Sequence, residues 1–365
     1  MTALAGLVFA ATYAIVAVGR LPRILLDRTT AAVAGALLMI GIGAIAPADA
    51  FRAIDVRTLA LLLGMMLAVA PLRLTGAFDR LVRWLGARLR HPAMLLAALA
   101  AAAGVLSAVF VNDTVCVVFA PMVVELTRAR QLRPLPYLLA LATAANIGSV
   151  ATIVGNPQNM LIGTVSHIGF LRFTASLAPV AAVGLVIDVA VIWFVCRRDL
   201  RAHPVDATAE APRPVRRTRV TPGGIVRAVD WRLLLLFAGL FVVVGAAERV
   251  GIDRTLFAWL RPLGVRTAGG LALTAAVLSN LVSNVPAVML FTPIVPRLAD
   301  ARRAWLLLAM ASTLAGNLTI VGSIANLIVV ESARRHGAHV RLRDYLGVGI
   351  PVTALTLAFG VWWLS

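Results

Sequence analysis

Between Phe173 and Cys196 the chain runs for the thickness of a bilayer with a single ionisable side chain, Asp188. A run of that length and apolarity points to a membrane-spanning helix, which satisfies its own backbone hydrogen bonds. Seven further runs are of similar character: 2 to 19, 30 to 47, 58 to 77, 136 to 165, 231 to 250, 304 to 331 and 345 to 364. A water-soluble globule fails on composition. Of 365 residues, 61% are apolar and 14% charged, against about 45–50% and about 25% in soluble domains, which leaves more apolar surface than a globule can hide.

Two more apolar stretches, 93 to 127 and 268 to 296, are interrupted by the polar clusters Asn112-Asp113-Thr114 and Ser283-Asn284. Beyond each interruption only about 10 to 12 residues precede the next charge. At about 1.5 Å per residue that falls short of a hydrocarbon core of about 30 Å. Both stretches therefore read as re-entrant hairpins. The expected fold class is an all-α polytopic membrane protein with about eight spanning helices plus two re-entrant hairpins.

The 34 basic residues are all arginine and outnumber the acidic ones to give a net charge of +18. They fall between apolar runs and not in tracts with interleaved aromatics, which argues against a nucleic-acid partner. Placing the N-terminus outside puts 24 of the 34 on the cytoplasmic side, the side that positive charge prefers. The expectation is a multi-pass protein of a bacterial inner membrane with both termini outside and the lipid bilayer as its surroundings. The first run has no charge before it and no cleavage site after it, so it reads as a retained helix and not a signal peptide. Residues 197–230, with four prolines and Gly223-Gly224, read as a basic cytoplasmic linker. Cys116 and Cys196 have neither disulfide nor metal-ligand spacing and read as small apolar fillers.

The halves on either side of that linker match in order. Asp55-Val-Arg57 pairs with Asp230-Trp-Arg232, Trp84 with Trp259, Ser107 with Ser279, Asn112 with Asn284, Pro121 with Pro293, and Asn159 with Asn326. Each unit is a span, a hairpin, a broken span and a closing span, and the two begin on opposite sides of the membrane. An inverted structural repeat of this kind is how secondary transporters alternate access around a central site. The domain organisation expected is 1–54 as N-terminal scaffold or dimer contact, 55–196 as repeat 1, 197–230 as linker and 231–365 as repeat 2.

Irregular backbone at membrane depth is tolerated where it lines a cavity or is buried in protein. Here the hairpin tips carry Asn112, Asp113, Thr114, Ser283 and Asn284, and the broken spans carry Gly155, Asn156, Asn159, Gly322, Ser323 and Asn326. Single asparagines and serines in membrane helices also serve packing, but clusters recurring at equivalent points of a repeat favour a binding site. Pro157 and Gly155 are expected to open the helix and free carbonyls. Those carbonyls with amide and hydroxyl oxygens suit Na+, with Ser107, Asn112 and Gly155 around one ion and Ser279, Asn284 and Gly322 around another. Helix N-termini aimed at the same point suit an anion.

Asp113 is a carboxylate at membrane depth, where charge is functional by default. Three roles fit it: proton carrier, cation ligand, or partner to an arginine that closes the tip. Asp188 divides between a hydrogen-bonded packing contact and a coupling role. No histidine sits mid-span, no nucleophile has a histidine partner, and the absence of lysine rules out a Walker-type ATPase in this chain. The chain therefore does not read as an enzyme and needs no cofactor, with Na+ as a candidate coupling ion.

The stretches VNDTVCVVFAPMV, TAANIGSVATIVGNPQNMLIG and SNLVSNVPAVMLFTPIV resemble the ion transporter superfamily, in the branch of arsenite permeases, citrate-transporter-like proteins and divalent anion:sodium symporters. The resemblance covers residues 30 to 365. It implies a homodimer that moves a transport domain against a scaffold in an elevator manner. In sodium-coupled dicarboxylate members each tip carries Ser-Asn-Thr, with a hydroxyl five positions before the Asn helping to ligate sodium. Asn112, Asn284, Ser283, Ser107 and Ser279 match that pattern, while Val111, Asp113, Val285 and Pro286 depart from it. The Asn112-Asp113 tip looks more like the arsenite-permease side, where proton coupling or a separate ATPase partner is implied. The function expected is secondary active transport of a small anionic solute coupled to Na+ or H+. The alternatives are arsenite or antimonite efflux, sodium/proton antiport, or, from another class, an integral membrane enzyme.

Overall fold

The computed structural model describes residues 2–18, 27–201 and 220–365, and among them the chain is all-α. Most of the expected linker, residues 202–219, lies outside the described residues.

Three helices come first: α1 (Thr2–Val18), α2 (Arg28–Gly41) and α3 (Pro47–Ala53). The next seven are α4 (Val56–Leu74), α5 (Ala77–Arg88), α6 (Pro92–Val109), α7 (Asn112–Ala129), α8 (Leu135–Ser149), α9 (Pro157–Ser166) and α10 (Phe170–Val195). Two short helices, α11 (Arg197–Arg201) and α12 (Pro222–Arg227), flank the undescribed stretch. The remaining seven are α13 (Trp231–Arg249), α14 (Ile252–Leu260), α15 (Ala268–Val282), α16 (Asn284–Phe291), α17 (Ala301–Leu314), α18 (Ile324–Arg335) and α19 (Leu342–Leu364). The seven from α4 and the seven from α13 follow one order, and each set opens on an aspartate cap. Asp55 accepts from the Thr58 amide at 3.2 Å and Asp230 from the Leu233 amide at 3.0 Å, which satisfies donors that a helix start leaves orphaned.

Among the described residues four helices, α6, α10, α13 and α19, are long and apolar enough to cross a membrane, and α3 with α4, bent by 50°, would make a fifth. The other expected spans are met by shorter helices or broken pairs: α1, α2, α8 with α9, and α17 with α18. The first hairpin differs in depth from its expectation. Its first arm, α6, has 18 residues and the length of a span, because the alanine- and leucine-rich run from Pro92 meets no polar residue until Ser107. The second hairpin is shorter, with arms of 15 and 8 residues. It turns at Ser283, whose φ of +75° lies in the left-handed region that side chains ordinarily avoid.

The core is formed by two helices that occupy equivalent places in the halves. Every residue of α8 from Pro136 to Ser149 is buried, as is every residue of α17 from Ala304 to Leu314. Association of helices in lipid rests on close packing, and α6 reaches α8 through two glycines. A Cβ on Gly148 would lie 2.0 Å from the Gly104 carbonyl oxygen, so any larger residue would force the helices apart. The N-terminal helices pack on the second half. Gly239 of α13 abuts Ala32 of α2, and the Tyr13 hydroxyl of α1 donates to the Pro286 carbonyl at 3.3 Å, inside the second hairpin.

Both broken spans open where the sequence indicates, with a different division of labour. α8 ends at Ser149, six residues before Gly155. Pro157 then begins α9 at its first turn, where a missing N–H is no loss. Gly155 is not in the positive-φ region. Its constraint is proximity, since a Cβ there would sit 2.3 Å from the Ser149 carbonyl oxygen.

Candidate functional site

The hub of the polar centre is Asn146, near the end of α8. Its Oδ1 accepts from Asn112 Nδ2 at 2.9 Å and from Ser323 Oγ at 3.0 Å. Its Nδ2 donates to Asn317 Oδ1 at 2.8 Å and to Asn326 Oδ1 at 3.0 Å. One buried amide thus joins the first hairpin tip to the break between α17 and α18, with every donor and acceptor engaged. A satisfied buried network of this kind specifies a single arrangement, and loss of a partner is costly.

The breaks are held by one device used twice. Asn159 Nδ2 donates to the carbonyls of Ser149 at 3.1 Å and Thr152 at 3.0 Å. Asn326 Nδ2 donates to those of Gly316 at 2.7 Å and Thr319 at 3.0 Å. Each amide ties down carbonyls freed by the interrupted helix. The residue three positions earlier caps the following helix: Asn156 Oδ1 accepts from the Asn159 amide at 2.9 Å, and Ser323 Oγ from the Ala325 amide at 3.2 Å. Asn156 Nδ2 also reaches Ser149 Oγ at 2.9 Å and Thr313 Oγ1 at 3.2 Å, and Gln158 Nε2 donates to Thr313 at 3.2 Å. That hydroxyl, on α17, fastens the first break to the second half.

Each hairpin tip rests on the glycine of its own break. The Asn112 amide donates to the Gly155 carbonyl at 3.0 Å. In the amide orientation that satisfies both side-chain atoms, Asn284 Nδ2 donates to the Gly322 carbonyl at 3.3 Å and the Ser312 carbonyl at 3.1 Å. Beside these tips lie buried oxygens with no partner: Ser107 Oγ, Asn112 Oδ1 and Asn159 Oδ1 in the first half, Ser279 Oγ in the second. Buried polar atoms are nearly always hydrogen-bonded, so each such orphan invites an explanation.

The remaining expected site residues stand apart from this network. Asp113 and Thr114 face a cavity of about 200 Å³ that also meets Met65, Met66, Asp230 and Ile328. Among the described residues its charged lining is two carboxylates, Asp113 in the first turn of α7 and Asp230 before α13. Ser283 forms the bend of the second hairpin, and its hydroxyl makes no hydrogen bond to the cluster among the described residues. Asp188 lies on α10, behind α8, with Thr143 between it and the hub.

Asn146, Asn317, Thr313 and Ser149 escaped the sequence reading. A signal for the first two was present: they stand 171 positions apart, inside the range of offsets that aligns the halves, in TAANIG and LAGNLT. Thr313 and Ser149 carry no such mark, because their importance comes from what folds against them.

The sequence model of the citrate transporter family matches residues 13–315. The silicon efflux transporter LSI3 of Oryza sativa subsp. japonica is 30% identical over 449 residues, covering 93% of each chain. Inner membrane protein YbiR of Escherichia coli (strain K12) is 29% identical over 332 residues, covering 81% of this chain and 86% of YbiR. Among solved structures, the YdaH transporter of Alcanivorax borkumensis superposes with a TM-score of 0.58 over 99% of this chain and 95% of its own, at 14% identity. That last likeness is one of fold.

Proposed function

This chain belongs to the citrate transporter family, and we propose that it is a secondary active transporter that moves a small anionic solute by alternating access, coupled to Na+ or H+. Membrane transport itself follows from the family and from relatives that are transporters. The observation that carries the finer reading is that four helix N-termini meet at one polar centre. Asn112 begins α7, Asn156 caps α9, Asn284 begins α16 and Ser323 caps α18. Each N-terminus carries a partial positive charge, which suits an anion without any basic side chain. The substrate-binding set in this reading is Asn112, Asp113, Thr114, Asn156, Asn159, Ser283, Asn284, Ser323 and Asn326, joined by Asn146 and Asn317.

For coupling, the orphaned oxygens of Ser107, Asn112 and Ser279 fit the donor chemistry of Na+. One ion would take Ser107, Asn112 and Gly155, the other Ser279, Asn284 and Gly322. Asp113 is the candidate proton carrier at the tip. The repeats 55–196 and 231–365 move in an elevator manner against a scaffold that includes residues 1–54, with 197–230 as a cytoplasmic linker. The reading places the protein in a bacterial inner membrane with both termini outside, as a homodimer, with no catalytic step. A separate ATPase partner is the variant to test beside it.

A second reading, efflux of an uncharged hydroxylated solute such as arsenite, is favoured by the two carboxylates of the cavity, which repel anions. It accords with the silicon efflux named for LSI3. Uptake into proteoliposomes under imposed Na+ or pH gradients, with citrate, sulfate, phosphate, arsenite and silicic acid, separates these readings. Gradient-driven movement of an anion upholds the first. Movement of arsenite or silicic acid alone upholds the second, and no gradient-driven flux of any solute overturns both.

A further inference from the structure

Asp188 is fully buried on the inward stripe of α10, between Gly184 and Ile192, and neither of its carboxyl oxygens has a hydrogen-bond partner. Its neighbours are hydroxyls. Thr143 of α8 lies beside it, and α19, which packs along α10, carries the buried Tyr345 hydroxyl, itself without a partner. α10 and α19 run antiparallel here: Trp363 Nε1 donates to the Ser176 carbonyl at 2.9 Å, and a Cβ on Gly184 would sit 3.4 Å from Thr356.

Charged groups on the packed elements are engaged elsewhere or remote in sequence. On α19, Arg343 and Asp344 lie 3.5 Å from each other, on α11 Asp199 pairs with Arg133 at 2.6 Å, and on α17 Arg302 and Arg303 occupy the first turn. On α8 the Tyr137 hydroxyl donates to the Pro92 carbonyl at 3.2 Å, and α6 has no titratable residue. An ionised carboxylate with no donor and no cation is strongly disfavoured in a buried site. The protonated acid needs one acceptor, and Thr143 offers it, since its own hydroxyl proton is given to the Leu139 carbonyl at 2.7 Å. Neither carboxyl oxygen is reachable by a water-sized sphere, so the ligand that fits is a proton and not a metal ion.

Thr143 also connects this acid to the hub. Its carbonyl accepts from Asn317 Nδ2 at 3.3 Å, and Asn317 Oδ1 accepts from Asn146. We infer that Asp188 is a proton-binding site whose charge state reaches the Asn146–Asn317 contact through Thr143. The inference rests on the transport reading for its purpose, because it supplies a coupling proton separate from the tip carboxylate Asp113. On deprotonation the Thr143 hydroxyl turns from the Leu139 carbonyl to the carboxylate, and the proton leaves to water on the side then open. Rebinding from the other side reverses the turn.

Infrared difference spectra of the full chain in liposomes, between acid and alkaline pH, read this without any solute. The expected result is a buried-carboxyl C=O band that disappears as pH rises. It is absent in Asp188→Asn and kept in Asp113→Asn. In Tyr345→Phe and Thr143→Val, which retain the carboxyl and nearly the same shape, its midpoint moves by about one pH unit, a tenfold change in proton affinity. A titrating band that Asp188→Asn leaves unchanged in a chain already carrying Asp113→Asn, one that never titrates, or a midpoint indifferent to both neighbours overturns the inference. Gradient-driven transport with a silent Asp188 sinks this inference alone. A titrating Asp188 in a protein that moves none of the tested solutes upholds it and sinks the transport reading.

Discussion

Asn146 donates to Asn317 across 2.8 Å, so two asparagines 171 positions apart in the chain form the contact on which the two halves meet. Neither is at a hairpin tip: Asn146 stands in the last turn of α8, just before its break, and Asn317 lies within the break that follows α17. The contact carries structural weight because Asn146 binds four groups at once, three of them from the opposite half.

Asn146→Ala should therefore be among the most damaging single substitutions at the centre. It leaves Asn112 Nδ2 and Ser323 Oγ without their acceptor and Asn317 and Asn326 without a donor. Orphaned buried groups cost about 1–3 kcal/mol each and are not additive, so a loss of about 3 kcal/mol is expected in thermal unfolding, together with loss of transport.

Gly148→Ala tests the approach of α6 to α8. Its Cβ would lie 2.0 Å from backbone that has no rotamer to yield, and overpacking of this kind costs about 1–3 kcal/mol. Gly6→Ala is the matched control, since a Cβ at Gly6 meets nothing within 4 Å. There the better helix propensity of alanine should leave the melting temperature unchanged or raised.

Ser107→Ala and Ser279→Ala remove hydroxyls that make no hydrogen bond. In sodium-free buffer each should alter stability by less than about 0.5 kcal/mol, as for substitutions that break no contact. If these hydroxyls ligate Na+, the wild-type chain gains melting temperature with added Na+ relative to choline, by the mass action of a ligand bound to the folded state. Each variant should lose about half of that gain or more. A wild-type chain indifferent to Na+ rules the assignment out.

Asp230→Asn removes one of two like charges from the cavity while its side-chain oxygen can still cap α13. For an anionic solute the KM should fall, by up to about tenfold per 1.4 kcal/mol of repulsion relieved. For an uncharged solute the KM should not change. Initial-rate uptake at several concentrations distinguishes the two outcomes.

The sequence by itself determined the membrane setting, the order of spans and hairpins in each half and the places where helices break, but not the short helices α5 and α14 that stand between the first span and the hairpin of each half. Those follow from local properties: the length of apolar runs, prolines and glycines at fixed points, and polar residues where a lipid-facing helix would reject them. It also marked Asn112, Asn156, Asn159, Asn284, Ser323 and Asn326. What their amides do was decided by tertiary structure. Asn159 and Asn326 hold the breaks by binding carbonyls seven and ten residues back, whereas Asn112, Ser323 and Asn326 converge on an asparagine that the motifs did not single out. The pairing of Asp113 with Asp230 around one cavity, and the placing of Asp188 behind Thr143, were likewise invisible. A polar side chain's role depends on which partner satisfies it, and in a stack of helices that partner stands more than a hundred residues away as often as a few.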